Sequence, residues 1–487
     1  MLSVDGAATV AIRYLDGPAG AGERHPSKDF RPSAAPIPTS QLLAALSTAL
    51  DLTEGQLPGH SLRTCFVASR LALRLGLPDH DRANLFYAAL LKDAGCSTNA
   101  AAISQIFGGD DIALKASQAT LDRSLTAYAA FTIRHLPLTE PLPARLARLV
   151  RIALSGTRER RQVEQTRCER GAAIARKAGF GEDVGSAIAD LHEHWDGGGL
   201  PFGRRRSEIH LFARILAACA ALDVFNSVRG PAAAIEMLAR RRASWYDPEI
   251  VDALLADAPA ILVELAVPDL AARAWALEPP SEVRVSDGAD VDRIAGAFAD
   301  IIDAKSPFTG SHSRRTAEVA EALAARLRLG SGALIDVRRA ALLHDVGKLS
   351  VPNSILDKPG RLTEAEFTII KRHPEMTHRI LAPIPTFASV AELAAAHHER
   401  LDGTGYFRGL AADGLAIGAR IVAVADVYEA LTADRPYRAG MSMSEALELI
   451  GTMSGDHLAH EVVAVLPSVV SERLPAGPGQ LATSAAP

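Results

Sequence analysis

The 487-residue chain is poor in cysteine, in aromatic residues and in net charge. Its four cysteines, Cys65, Cys96, Cys168 and Cys219, stand in no CxxC spacing, so they read as reduced thiols of a cytoplasmic protein. Aromatics make up only 5% of the residues, and long stretches are rich in Ala and Leu, which favours helices over a β-sandwich. The balance of 52 Lys+Arg against 57 Asp+Glu gives a net charge of −5. That leaves no electrostatic footprint for duplex nucleic acid or an anionic membrane, though a local basic pocket remains open. No run of 18 apolar residues occurs, so no membrane span is expected. The opening residues lack the basic-then-apolar order of a secretion signal.

What the chain does have is core. Hydrophobic residues reach 48%, which excludes disorder throughout. The length fits about three domain-sized units, or two large ones. Gly, Pro and charge dominate residues 1–38, a flexible lead, and residues 474–487 read as a disordered tail. Helical periodicity begins near Ser40 with Leu42, Leu43, Leu46 and Leu50. It breaks at a Pro-rich linker, 277–288, and resumes with Val291, Ile294, Phe298 and Ile301. The expected fold class is all-α, two tandem helical bundles at 39–276 and 289–473.

An internal repeat supports that division. His60-Ser-Leu-Arg-Thr and His312-Ser-Arg-Arg-Thr each open an amphipathic helix. At equal intervals follow Lys92-Asp93-Ala-Gly and His344-Asp345-Val-Gly. LHEHWDGGGLP (191–201) then parallels HHERLDGTGYF (397–407), and ARILAACA (213–220) parallels ARIVAVAD (419–426). The first copy carries an insertion between its second and third blocks.

The second copy collects His312, His344, Asp345, His373, His397, His398 and Asp426, each near the end of a helix or, for Asp426, inside an apolar one. Imidazole and carboxylate are ordinary ligands of Zn, Fe, Mn or Ni. Gly347 is expected to end the helix that carries His344. Thr363-Glu-Ala-Glu366 is a capping box that opens a helix stopped by Pro374. A carboxylate inside IVAVADVYEAL is costly to bury without a cation or hydrogen-bond partners.

HDVGK at 344–348, RHPEM at 372–376, HHERLDGTGY at 397–406 and ADVYEALTADRPYR at 425–438 resemble the HD-GYP subgroup of HD-domain phosphohydrolases, over about 290–460. The resemblance implies an all-helical bundle with a two- or three-metal centre, usually Fe or Mn. It also implies hydrolysis of cyclic di-GMP to pGpG or GMP. By the same resemblance His312, His344, Asp345 and Asp426 hold one metal, and Asp345 bridges to a second held by His373, His397 and His398. Lys348 meets the scissile phosphate or the attacking hydroxide, Arg435 and Arg438 meet phosphates or guanine, and Gly405 and Tyr406 belong to the loop that names the subgroup.

Two departures stand out. Phe407 replaces the signature Pro, which loosens the loop and alters substrate fit more than metal binding. Phe308 occupies the place of a third-metal Glu, which favours two divalent ions over three. The first copy departs further. Lys92, Leu191, Ala220 and Cys96 replace the residues aligned with His344, His397, Asp426 and Lys348, and an Arg167/Cys168 region replaces the RHPEM histidine. It reads as a catalytically dead copy that keeps the fold and serves as a homodimerisation platform, a lid or a sensor. Its GGG (197–199) and GRRR (203–206) read as a solvated loop before an anion site. Three functions follow in order: a cyclic di-GMP phosphodiesterase, an HD phosphohydrolase of another cyclic dinucleotide or nucleotide, and a non-catalytic nucleotide-binding or scaffold protein.

Overall fold

The computed structural model describes residues 36–121, 124–137, 141–307, 310–434 and 439–473. The lead up to residue 35, the tail from 474, Phe308 and the Arg435–Arg438 stretch lie outside the described residues. Among the described residues the chain is helical but for one two-residue antiparallel pairing, Ile37–Pro38 with Val285–Ser286. The last residues of the lead and of the linker thus meet, and Thr39 Oγ1 and Ser286 Oγ sit 2.8 Å apart beside them.

The chain divides into two units. The first comprises 34–310 and 346–373, the second 311–345 and 374 onward. In the first, helix His60–Arg74 packs against Asp79–Leu91 and Leu211–Arg229. In the second, helix His312–Arg326 packs against Ser331–Leu343 and Ile417–Thr432. The repeated sequence blocks therefore make the same helical contacts twice. Helix Gly288–Asp303 groups with the first unit because it packs on the 36-residue helix Leu142–Lys177. The 3₁₀ turn Val346–Ser350 joins that unit too, against Thr39–Thr53.

Local chemistry explains the boundaries. Asp287 and Asp290 form a reciprocal cap at the start of Gly288–Asp303, and Thr363 and Glu366 do the same at Glu364–Lys371. Pro374 does more than end that helix. It is the second residue of a new one, His373–Leu381, where its fixed φ and missing N–H cost nothing. Helix Leu211–Arg229 is long and apolar enough to cross a bilayer, with mean hydropathy 1.6. Its Ile215, Leu216, Cys219 and Leu222 are nevertheless fully buried in the first unit, and it carries the buried Asp223.

One buried polar node ties three segments of the first unit. Asp111 Oδ2 lies 3.2 Å from Lys305 Nζ, and Asp111 Oδ1 accepts from the Asn353 amide at 2.7 Å. Asn353 Nδ2 donates in turn to Lys305 O at 2.7 Å. Asp111 is 0% and Lys305 2% exposed, so neither charge has water as an alternative. Removing one partner strands the other in an apolar interior. We expect Asp111→Ala to destabilise the unit by about 3 kcal/mol in urea denaturation, and Asp111→Ala with Lys305→Met to recover most of that loss. A single variant as stable as wild type would deny the node its role.

Candidate metal centre

The donors of the second unit come from helix ends that point inward. His312 is the first residue of His312–Arg326. His344 and Asp345 follow the last turn of Ser331–Leu343, and Thr377 Oγ1 holds that turn by donating to His344 O at 2.8 Å. His397 and His398 follow helix Ala388–Ala395, whose Val390, Ala391, Leu393 and Ala394 are buried. Asp426 lies within Ile417–Thr432, whose Ile421, Val422, Val424 and Ala425 are buried. The helices are anchored by apolar faces, so their polar side chains have little freedom.

Adjacent residues in a helical turn diverge by about 100°. His344 and Asp345 nevertheless both approach His312, Asp345 Oδ2 lying 3.6 Å from His312 Nε2, and Asp345 also nears His397. His344 Nε2 lies 3.2 Å from His312 Nε2 and 3.6 Å from Asp426 Oδ1, and His312 Nε2 is 3.3 Å from Asp426 Oδ1. Asp345 Oδ2 is 3.4 Å from His344 Nε2, while its Oδ1 is 3.7 Å from His397 Nε2. Two overlapping donor sets result within the second unit: His312, His344 and Asp426; and His344, Asp345 and His397. Within each set the ligand atoms lie within 4.8 Å of one another. Donors about 2.1 Å from a common cation stand roughly 3.0–3.4 Å apart, so the spacing suits a bound ion.

The tautomers suit it as well. Nδ1 of His344, His373 and His397 each meets a backbone carbonyl, Ala341 O at 2.8 Å, Ile370 O at 2.7 Å and Ala394 O at 2.6 Å. A carbonyl only accepts, so Nδ1 carries the proton and Nε2 keeps its lone pair for the site. His312 makes the same arrangement with a carboxylate, Nδ1 against Glu429. Glu429 is held from its other side by Arg315 Nε at 2.9 Å.

Electrostatics point the same way. Burial opposes protonation of His312, yet hydrogen bonds that it donates to the Asp345, Asp426 and Glu429 carboxylates lift its pKa well above the usual histidine value. Burial likewise disfavours the charged form of His344, but Asp345 and Asp426 push it up to about 9. Burial would raise Asp426, and the two imidazoles instead hold it well below the usual carboxylate range. Buried carboxylates here demand positive charge, as protons or as cations.

The HD domain matches residues 126–250 and 296–462 of this chain. A "3'3'-cGAMP-specific phosphodiesterase 3" of Vibrio cholerae is 39% identical over 416 residues, 85% of this chain and 90% of the relative. The chain belongs to the HD-domain family. It is a metal-dependent phosphohydrolase, a phosphodiesterase of the HD-GYP type. The crystal structure of a cyclic GMP-AMP-specific phosphodiesterase of V. cholerae matches with TM-score 0.62 and 34% identity, covering 91% of this chain and 99% of that one. A "Cyclic di-GMP phosphodiesterase PA4108" of Pseudomonas aeruginosa is 42% identical over 30% of this chain and 36% of its own length.

Seen as an HD-GYP protein, the remaining site residues fall as follows. Lys348 is half-buried in the 3₁₀ turn Val346–Ser350, directly after Asp345. Gly347 sits within that turn, so it does not terminate the preceding helix as expected. The Tyr406 ring packs on His398 with centroids 4.7 Å apart. Burial and the charges of Asp345 and Asp426 keep the Tyr406 hydroxyl protonated. Gly405 is obligatory: a Cβ there would come within 2.4 Å of Glu399 Cα. Phe407 adopts φ 101°, a region closed to the signature Pro, so the loop follows a different path instead of simply loosening. The Arg435, Arg438 and Phe308 assignments lie outside the described residues.

Two residues escaped the sequence reading. Glu429 orients His312, and its counterpart in the first copy is Asp223, which meets His60 Nδ1 at 2.7 Å and Arg63 Nε at 2.8 Å. A carboxylate in the same repeat position, three residues past the final Asp slot, was the available signal. Glu399 accepts from the amides of Arg408, Gly409 and Leu410 at 2.7, 3.2 and 3.0 Å. Glu193 does the same to Phe202, Gly203 and Arg204 at 2.6, 3.2 and 3.0 Å. In the GRRR stretch, Arg204 pairs with Asp190 at 2.8 Å.

Loss of an orienting carboxylate typically lowers metal affinity about 10–100-fold. We expect Glu429→Ala to show that loss in competition with a calibrated chelator, with its thermal unfolding near that of wild type. Unchanged metal affinity would remove Glu429 from the centre.

Proposed function

We propose that this chain hydrolyses a 3′,3′-cyclic dinucleotide to its linear 5′-phosphorylated form, with cyclic GMP-AMP the favoured substrate. The buried histidine and aspartate donors gathered in the second unit, His312, His344, Asp345, His397 and Asp426, support the hydrolase reading. The choice of substrate rests on similarity along nearly the whole chain, degenerate copy included, to a relative named for cyclic GMP-AMP. Relatives named for cyclic di-GMP match about a third of this chain, which keeps that dinucleotide as the second reading.

In this reading His312, His344, Asp345 and Asp426 would hold one divalent ion, and His373, His397 and His398 would hold a second. An imidazole and carboxylate set without thiolate suits Fe or Mn. When bound, such ions would supply charge to neutralise the phosphodiester oxygens and hydroxide near neutral pH. The Nδ1 partners fix each ring so that no reorganisation is needed at the moment of reaction. Hydroxide attacks phosphorus in line, the bond to the ribose 3′ oxygen breaks, and that oxygen takes up a proton. Lys348, beside Asp345 in sequence, supplies an ammonium to the phosphoryl oxygens. Tyr406 keeps an O–H donor at the loop edge, and Arg435 and Arg438 take a phosphate or a guanine. The unpaired, buried cysteines fit work in the cytoplasm, where cyclic dinucleotides signal.

Protein loaded with Mn or Fe should linearise cyclic GMP-AMP at least about ten-fold faster, by kcat/KM, than cyclic di-GMP. The reverse preference would move the assignment to cyclic di-GMP. His344→Ala with Asp345→Ala, or excess chelator, should abolish turnover of both while circular dichroism stays helical. Equal turnover by the double variant would place the chemistry elsewhere.

A further inference from the structure

The first unit encloses a cavity of about 540 Å³ where the degenerate copy faces inward. Its size lies within the usual range for small-molecule sites, roughly 300–1,000 Å³. Its lining is mixed: Lys92, Asp93, Glu54, Lys115 and Arg167 are charged, and Leu191, Leu200, Ala220 and Val224 are apolar.

The charged cluster is no metal site, although Glu54, Asp93 and Cys96 bring ligand atoms within 4.8 Å of one another. Side-chain cations already occupy those carboxylates. Lys92 pairs with Asp93, Lys115 Nζ lies 3.1 Å from Glu54 Oε1, and Arg167 lies 3.0 Å from Glu54 Oε2. Arg167 also reaches Cys96 Sγ at 2.7 Å. Leu191 and Ala220 stand in the repeat positions of His397 and Asp426, so the donor set is gone.

Two side chains on the cavity wall lack the partners their chemistry calls for. Asn99 is 3% exposed, and neither its Oδ1 nor its Nδ2 has a hydrogen-bond partner. It stands at the N-cap of helix Ala100–Phe107, the position where Asn ordinarily caps, yet its side chain makes no cap bond. A buried amide left so is costly, and a bound donor–acceptor pair removes that cost. Arg160, half-buried, lies 5.7 Å from the Tyr128 ring centroid and meets no carboxylate among the described residues. Of the other lining carboxylates, Glu164 approaches Arg167 at 3.7 Å and Glu193 is turned to three backbone amides.

We propose that this cavity is a metal-independent binding site for a purine nucleotide. The Asn99 amide offers a donor and an acceptor side by side, the pattern that pairs with a purine edge. The apolar wall takes the base, and Arg160 takes the phosphate. Lacking a cation-binding donor set, the site holds its ligand without cleaving it.

The test uses the full chain carrying His344→Ala and Asp345→Ala, with chelator present, so that metal-dependent binding in the second copy is removed. Calorimetric titration with 5′-GMP, 5′-AMP and 3′,3′-cyclic GMP-AMP should find at least one that binds one per chain, more tightly than ~1 mM. Adding Asn99→Ala or Arg160→Ala should weaken that binding by about ten-fold or more at unchanged thermal unfolding. Arg160 is half-exposed, so its variant keeps the test decisive if Asn99→Ala perturbs folding. No binding by any of the three probes, or binding that survives both substitutions, overturns the proposal. Equally tight binding of 5′-UMP overturns the purine assignment.

Discussion

Buried negative charge is the constraint on which both copies are built. Asp345 and Asp426 of the second unit, and Asp93 of the first, are less than a tenth exposed, among helices whose inner faces are Ala, Val, Ile and Leu. An ionised carboxylate in such surroundings costs several kcal/mol unless a cation meets it. The second copy answers with imidazoles whose free nitrogens face the carboxylates, an arrangement that protons or divalent ions can complete. The first answers with Lys92, Lys115 and Arg167, cations already attached to the chain. Burial alone would push the Lys92 ammonium toward neutrality, and the Asp93 and Asp51 charges more than restore it. Lys92 at the repeat position of His344, together with Lys115 and Arg167, therefore puts permanent cations where the second copy has imidazoles.

Much of this was legible in the sequence, for a physical reason. Histidines and aspartates at helix ends, a capping box at Thr363 and an apolar helix interrupted by Asp426 are local features, and local features are what residue spacing reports. The tandem repeat was legible because its blocks keep their order and intervals. Glu429 was not, since its repeat partner is Asp223: the chemistry persists while the letter changes. The grouping of Gly288–Asp303 and 346–373 with the first unit was illegible too, because it depends on packing against Leu142–Lys177 and Thr39–Thr53, far away in sequence. Pro374 shows a subtler limit. Its ring excludes it from a helix interior but suits a first turn, so the same residue ends one helix and begins the next.

Scaffold and chemistry are separable in this fold. Glu193 and Glu399 each follow directly after the His that survives in both copies, and each gathers three successive backbone amides of its loop. Gly199 and Gly405 occupy matching places where a Cβ would strike the backbone at the gathering glutamate itself and the residue after it. None of these groups depends on a metal. A copy that loses its donors therefore keeps its loop, its helix contacts and the hollow between them. The same scaffold explains how Phe407 is tolerated. Its positive φ costs on the order of 1–3 kcal/mol. The next three residues, Arg408, Gly409 and Leu410, are those bound to the Glu399 carboxylate, and hydrogen bonds to a charged acceptor are among the stronger kind. Three of them just downstream are enough to offset the strain and hold the loop on a path that proline is unable to follow.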